Sequence, residues 1–174
     1  QKIKNKKKIK DQVILTYHPE TIDSKFEWSK NFSKIIKVLD EFDYKVIITS
    51  PGHEKDSQKQ MKFIKKIING KKNYCFIKSL GVKNYFEKLK ESAFVIGNSS
   101  SGVIEVPYFR IPTINIGKRQ NGRFFHDSII ECDCNSYKMK ESIKLATSNK
   151  FKSRLKKMKL YFGNGGAGKK ILKI

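Results

Sequence analysis

The side chains able to do chemistry concentrate in five short turns. They are HPETID (His18–Asp23), SPGHEKD (Ser50–Asp56), KSLG (Lys78–Gly81), GNSSSG (Gly97–Gly102) and GKRQNGR (Gly117–Arg123). GNSSSG is the densest. It follows the apolar run Ala93–Ile96 and leads into VIEVPYF, an apolar segment with one carboxylate, Glu105. Small residues where a strand turns into a helix leave the first helical N–H groups without intrahelical partners. Those donors, with the hydroxyls of Ser99, Ser100 and Ser101 beside them and Gly102 admitting close approach, suit a phosphate. The closing Gly-Lys-Ser/Thr of a Walker loop is absent, and the spacing does not make a GxSxG elbow. A serine capping the helix accounts for one hydroxyl, not three.

Glu105 is poorly placed for a phosphate and well placed for the vicinal hydroxyls of a sugar, as is the acid that holds ribose in dinucleotide-binding folds. Its neighbours Val103, Ile104, Val106, Tyr108 and Phe109 leave little polar surface, so a buried acid in a short helix is expected. The alternative is an exposed helix carboxylate facing a lysine. Arg119 follows the run Thr113–Ile116, where a guanidinium grips a diphosphate with paired hydrogen bonds or simply faces solvent; Lys118 and Arg123 are placed to share that role. His18 ends the first apolar run, placed as a hydrogen-bond donor or proton carrier near neutral pH, or as a structural histidine. His53 and His126 lie in similar turns with less context.

The elements positioning these turns alternate. Strands are expected at Gln12–Tyr17, Tyr44–Thr49, Tyr74–Ile77, Ala93–Ile96, Thr113–Ile116 and Ser128–Cys132. Helices are expected at Phe26–Phe42, Ser57–Ile68 (Met61, Ile64 and Ile68 on one face), Lys83–Glu91, shortly after the serines, and at Ser136–Ala146. The late YFGNGGAGKKILKI reads as a glycine-rich loop entering a helix. This alternation predicts an α/β fold, a parallel sheet with helices on both faces and ligands at the carboxyl ends of its strands.

At 174 residues, one domain is expected. The net charge of +22 suggests polyanions, but only four of the 38 basic residues are arginine and the lysines scatter over every expected helix. Most of the charge reads as solvated surface, and no nucleic-acid partner is expected. Three of the arginines, Arg110, Arg119 and Arg123, cluster where a planar guanidinium is needed. The basic leader QKIKNKKKIK reads as a solvated linker rather than a signal, and no apolar run approaches a membrane span. Cys75, Cys132 and Cys134 form no even disulfide framework and no CxxC pair, which fits a reducing cytoplasm; the Cys-x-Cys suits a strand end better than a metal site.

TYHPET, then VIGNSSSGVIEVPYFRIPTINIGKRQNGR with its trailing DSII, then YFGNGGAG, resemble the C-terminal half of UDP-N-acetylglucosamine 2-epimerases, from about Gln12 onward. The hydrolysing branch is the nearer match, because the non-hydrolysing branch usually has Asp-Ser-Gly-Gly in place of Asn-Ser-Ser-Ser. The resemblance implies the second of two Rossmann-like domains in a GT-B-like architecture, here residues 12–174 after a linker at 1–11, with a further N-terminal domain of the same protein as partner. It implies a UDP-sugar substrate and a homo-oligomer. Carried over by position, Ser99 and Ser100 bind the diphosphate, Glu105 the ribose hydroxyls, and Arg119 reaches the phosphates, with Ser101, Gly102 and Gln120 among the residues that bind the UDP-sugar. His18 lies near the sugar and diphosphate, as the one catalytic candidate in this chain, and Leu80 lines the uracil pocket through its backbone. Pro51-Gly52 departs from the family's usual Pro-Asn, so that asparagine's contact is not carried over. The implied reaction removes the C2 proton, eliminates UDP to a 2-acetamidoglucal and adds water, as in the making of sialic-acid-type sugars. It uses no metal or redox cofactor, and its carboxylates sit in the other domain. A GT-B glycosyltransferase shares the fold and a UDP-type site; a nucleic-acid module would account for the charge instead.

Overall fold

The computed structural model describes residues 11–20, 25–51, 57–163 and 165–172. The apolar runs form six strands: β1 (Gln12–Thr16), β2 (Lys45–Thr49), β3 (Tyr74–Ile77), β4 (Ser92–Gly97), β5 (Thr113–Ile116) and β6 (Ile129–Cys132). The amphipathic segments form α1 (Lys25–Leu39), α2 (Ser57–Ile67), α3 (Gly81–Glu91), α4 (Ser100–Ile104), α5 (Ser136–Thr147), α6 (Asn149–Lys157) and α7 (Ala167–Ile171). A 3-10 turn, Val106–Phe109, follows α4.

The strands form one parallel sheet in the order β3-β2-β1-β4-β5-β6. This is the doubly wound, Rossmann-like order, and it reverses between β1 and β4. Side chains alternate between the faces. Val13, Leu15 and Ile48 pack with Phe32, Ile35 and Ile36 of α1, Ile64 of α2 and Met139 and Ile143 of α5. Ile14, Ile47 and Val95 pack on the other face with Leu89 of α3, Val106 and Ile111. Covering both faces is what lets β4 bury all six of its residues.

Some expectations need correction. On α2 the buried positions are Gln60 and Ile64, with Phe63, Ile67 and Ile68 against the core; Met61 lies off that face. Helix α6 has no counterpart among the expected elements. Its signals were there: Ser148 caps it by accepting from the Phe151 N–H, and Phe151, Leu155 and Met158 recur at helical spacing on the buried side. Arg110, grouped above with the anion-seeking arginines, is structural. Its Nη1 donates to the Leu155 and Met158 carbonyls at 2.6 and 2.9 Å, holding the end of α6, where a cation also suits the helix dipole.

Candidate functional site

The reversal of strand order places the ends of β1 and β4 side by side at the carboxyl edge of the sheet. Register pairs Thr16 with Gly97, and Gly97 has φ +133°; a Cβ there would stand 1.9 Å from the Thr16 carbonyl oxygen. Glycine is therefore required for the two chains to leave the sheet together. One residue on, Asn98 is fully buried and joins them. Its Oδ1 accepts from the His18 N–H at 2.6 Å and its Nδ2 donates to the His18 carbonyl at 2.9 Å. Its own carbonyl accepts from Gln120 Nε2 at 2.8 Å and Arg119 Nη1 at 3.3 Å. Asn98 thus holds three expected site residues from two other turns.

His18 Nδ1 faces the Pro51 carbonyl, which only accepts, so Nδ1 carries the neutral ring's proton and Nε2 takes the second when the ring protonates. The GKRQNGR turn is held by Glu20, whose Oε1 accepts from the Lys118 and Arg119 amides at 3.0 and 3.3 Å. Gly117 has φ +79°, and a Cβ there would meet that same oxygen at 2.4 Å. Thr21–Asp23 of the first turn and Gly52–Asp56 of the second, with His53, lie outside the described residues.

Beside this junction lies a cavity of about 410 Å³. The ends of β1 and β2 contribute Thr16 and Thr49, whose hydroxyls bond each other; the β3–α3 turn contributes Lys78 to Val82. The serine turn contributes Ser99 and Ser101, and Ser50, Tyr85 and Glu105 complete the lining among the described residues. Leu80, Ser99, Ser101 and Glu105, placed here from sequence, therefore share one cavity. Among the described residues, Lys78 and Glu105 are the one cation and one anion in its lining.

Glu105 corrects the sequence reading: it is exposed. Helix α4 lasts little more than one turn, and the buried positions fall at Val103, Val106 and Pro107. Ile104 and Glu105 consequently face outward, with Glu105 as the C-cap of α4 on the cavity rim. The three serines differ. Ser99 is the N-cap of α4 but makes no side-chain cap bond, Ser100 is half-buried and lies outside the lining, and Ser101 Oγ donates to the Tyr85 hydroxyl at 2.7 Å. Gly102 is buried against β5, where a Cβ would meet Thr113 Cγ2 at 2.8 Å, and its carbonyl accepts from Thr113 Oγ1. Its part is close helix-on-strand packing. Gln120, His18 and Arg119 meet at Asn98, next to Ser99 in the chain, and are not among the residues lining the cavity.

Burial pushes the Tyr85 phenol above its ordinary value, the Ser101 hydrogen bond opposes that, and the Glu105 charge adds to it. Burial also raises Cys132 and takes Cys134 up to about 11, leaving both as thiols at neutral pH. Cys132 ends β6, so the Cys-x-Cys stands at a strand end as expected. Among the described residues no group of three or more histidine, cysteine or acidic side chains is disposed to hold a metal. Likewise, no described helix is long and apolar enough to cross a membrane.

Sequence reasoning did not single out Asn98, Glu20 or Tyr85. Asn98 sits inside the quoted GNSSSG motif, and Glu20 inside HPETID. Their roles depend on contacts 21 to 99 residues away along the chain, which local spacing does not reveal. Tyr85 reads as one more aromatic on an amphipathic helix.

The sequence profile of the UDP-N-acetylglucosamine 2-epimerase family matches residues 1–174. The chain is 32% identical over 134 residues to the GDP/UDP-N,N'-diacetylbacillosamine 2-epimerase (hydrolyzing) of Campylobacter jejuni, covering 72% of this chain and 33% of that protein. It spans about a third of the length of the curated relatives it matches. Among solved structures, the Methanocaldococcus jannaschii UDP-GlcNAc 2-epimerase in complex with UDP-GlcNAc and UDP superposes with a TM-score of 0.73 at 19% identity, over 94% of this chain and 44% of that one. An E. coli heptosyltransferase with ADP shares the fold more distantly, with a TM-score of 0.52 at 12% identity over 77% and 42%.

Proposed function

The chain belongs to the UDP-N-acetylglucosamine 2-epimerase family, and from that premise we propose that it is the nucleotide-binding half of a hydrolysing UDP-2-acetamido-sugar 2-epimerase of the cytoplasm. One observation carries the reading. Four residues that the sequence resemblance assigns to a UDP-sugar, Leu80, Ser99, Ser101 and Glu105, line a single cavity beside the point where strand order reverses. Three more, His18, Arg119 and Gln120, are tied to Asn98, the residue before Ser99.

In this reading the uracil lies over the β3–α3 turn near Leu80. The ribose hydroxyls face Glu105, and the diphosphate lies by Ser99 and Ser100 within reach of Arg119. The Arg119 guanidinium already touches a backbone carbonyl at 3.3 Å, and a diphosphate offers it a stronger, charge-assisted partner. His18, with Nδ1 tied to Pro51, presents its other nitrogen as donor or proton carrier toward the leaving diphosphate. The C2 proton is taken by carboxylates of another domain. The C1–O bond then breaks with its electrons leaving on UDP, and water adds to the 2-acetamidoglucal to give the C2-inverted free sugar. On this account the 174-residue chain binds nucleotide and does not turn over alone.

The test has two arms. Calorimetry of the chain at ~150 mM salt, where exposed charge is screened beyond about 8 Å, gives UDP binding and weaker binding of a random oligonucleotide; the reverse order overturns the reading in favour of a polyanion site. Product analysis with the longer protein that carries this domain gives free UDP and a C2-inverted sugar. The likeness to a heptosyltransferase fold makes sugar transfer the second reading, and a glycosylated acceptor among the products would establish it.

A further inference from the structure

Ser101 stands in the serine turn, where its hydroxyl would be expected to face a phosphate together with those of Ser99 and Ser100. It does not. Ser101 Oγ donates to the Tyr85 phenolic oxygen at 2.7 Å, from the first turn of α4 to the middle of α3. The Tyr85 ring is seated in the apolar cluster of the second sheet face with Leu89 and Val106, its centroid 6.2 Å from that of Phe86. A phenol has one proton to give. Ser101 fills an acceptor position on the oxygen, so the proton turns away from Ser101. Among the described residues no protein acceptor receives it. Tyr85, Ser101 and Glu105 all line the same cavity.

A donor without an acceptor on the wall of a cavity, fixed in direction by a second hydroxyl and facing a space that a carboxylate borders, is built to meet an oxygen that both accepts and donates. We propose that Tyr85 is a nucleotide-contacting residue: its O–H donates to one ribose hydroxyl, and that hydroxyl donates in turn to the Glu105 carboxylate. This rests on the nucleotide reading above and deepens it. The chain runs Ser101 O–H to Tyr85, Tyr85 O–H to ribose, ribose O–H to Glu105, and ends on a charged acceptor, so each bond polarises the next. Ser101 is then a positioning residue for Tyr85 and not a ligand of the diphosphate. Of the serine turn, Ser99 and Ser100 are left for the phosphates.

The test is calorimetry on the 174-residue chain with UDP, 2′-deoxy-UDP, 3′-deoxy-UDP and inorganic pyrophosphate. Tyr85→Phe keeps the ring and its packing, and a thermal melt verifies that the variant folds. It weakens UDP roughly 3- to 10-fold, the size of one net hydrogen bond. It leaves pyrophosphate unchanged, as well as whichever deoxynucleotide lacks the contacted hydroxyl. Ser101→Ala weakens UDP by a smaller factor and adds nothing in the Tyr85→Phe background, because the two act through one bond. The assignment is overturned if Tyr85→Phe binds UDP like the parent chain. It is overturned as well if the loss is equal for UDP and both deoxynucleotides, or if Ser101→Ala weakens pyrophosphate. A parent chain that does not bind UDP at all refutes the nucleotide reading, and this assignment with it; a parent chain that binds UDP with no change in Tyr85→Phe refutes only the assignment.

Discussion

Asn98 offers the sharpest perturbation of the framework behind the cavity. Its side chain is fully buried and makes two hydrogen bonds to the backbone of His18, one as acceptor at 2.6 Å and one as donor at 2.9 Å. Asn98→Ala removes both, each worth about 0.5–1.5 kcal/mol net, so a loss of about 1–3 kcal/mol is expected in urea unfolding. Asn98→Asp is more informative. One carboxylate oxygen still accepts from the His18 N–H, but the other now faces the His18 carbonyl, acceptor against acceptor. Burial and that repulsion raise the folded-state pKa of the new carboxyl above its unfolded value. The folded state then binds more protons than the unfolded one, so stability falls as pH rises and recovers as pH drops through the raised value, where the protonated acid again donates to His18. Denaturant midpoints across the acid-to-neutral range, for the parent, Ala and Asp chains, give the result directly. The reasoning is refuted if Asn98→Asp matches the parent at neutral pH, or if its stability does not recover on acidification.

Other expectations follow from single contacts. His126 is buried, accepts from the Tyr161 N–H through Nε2 at 3.2 Å, and has its pKa lowered by burial against a smaller opposing effect of Asp127. The unfolded chain therefore binds a proton before the folded one, and stability contributed at neutral pH is lost as pH falls below the ordinary histidine value of about 6.5. Melting temperatures at pH 7.5 and 5.5 should differ more for the parent than for His126→Asn; equal differences would show that His126 is not the group responsible. Arg110→Ala frees the Leu155 and Met158 carbonyls and should lower stability by about 1–3 kcal/mol in urea unfolding, with UDP affinity unchanged. A loss of UDP affinity with stability intact would return Arg110 to the anion-binding arginines.

Much of the frame was legible because it is written in local patterns. β3 and β5 run from Tyr74 to Ile77 and from Thr113 to Ile116, just as the apolar runs indicate. Strand–helix alternation implies the parallel sheet. The strand order is not local, and it decides that the turns after β1 and β4 meet. Helix α6 was obscured because its lysines outnumber the three apolar residues that seat it. Glu105 looked buried because apolar neighbours in sequence are not neighbours in space once a one-turn helix gives way to a 3-10 turn. Tyr85 and Asn98 act through long-range hydrogen bonds, and no periodicity records those.

The central claim is a division of labour at one junction: hydroxyls for the diphosphate, a carboxylate for the ribose. Because Glu105 lies on the exposed rim, its charge-assisted bonds fall at the weak end of their range, about 1.5 kcal/mol or roughly tenfold in affinity. The decisive measurement is therefore the calorimetric affinity of the parent chain and Glu105→Gln for UDP and for inorganic pyrophosphate at one salt concentration. The account predicts that the substitution weakens UDP about tenfold and leaves pyrophosphate, which has no ribose, unchanged. Equal losses for the two ligands, or no loss for either, would contradict it.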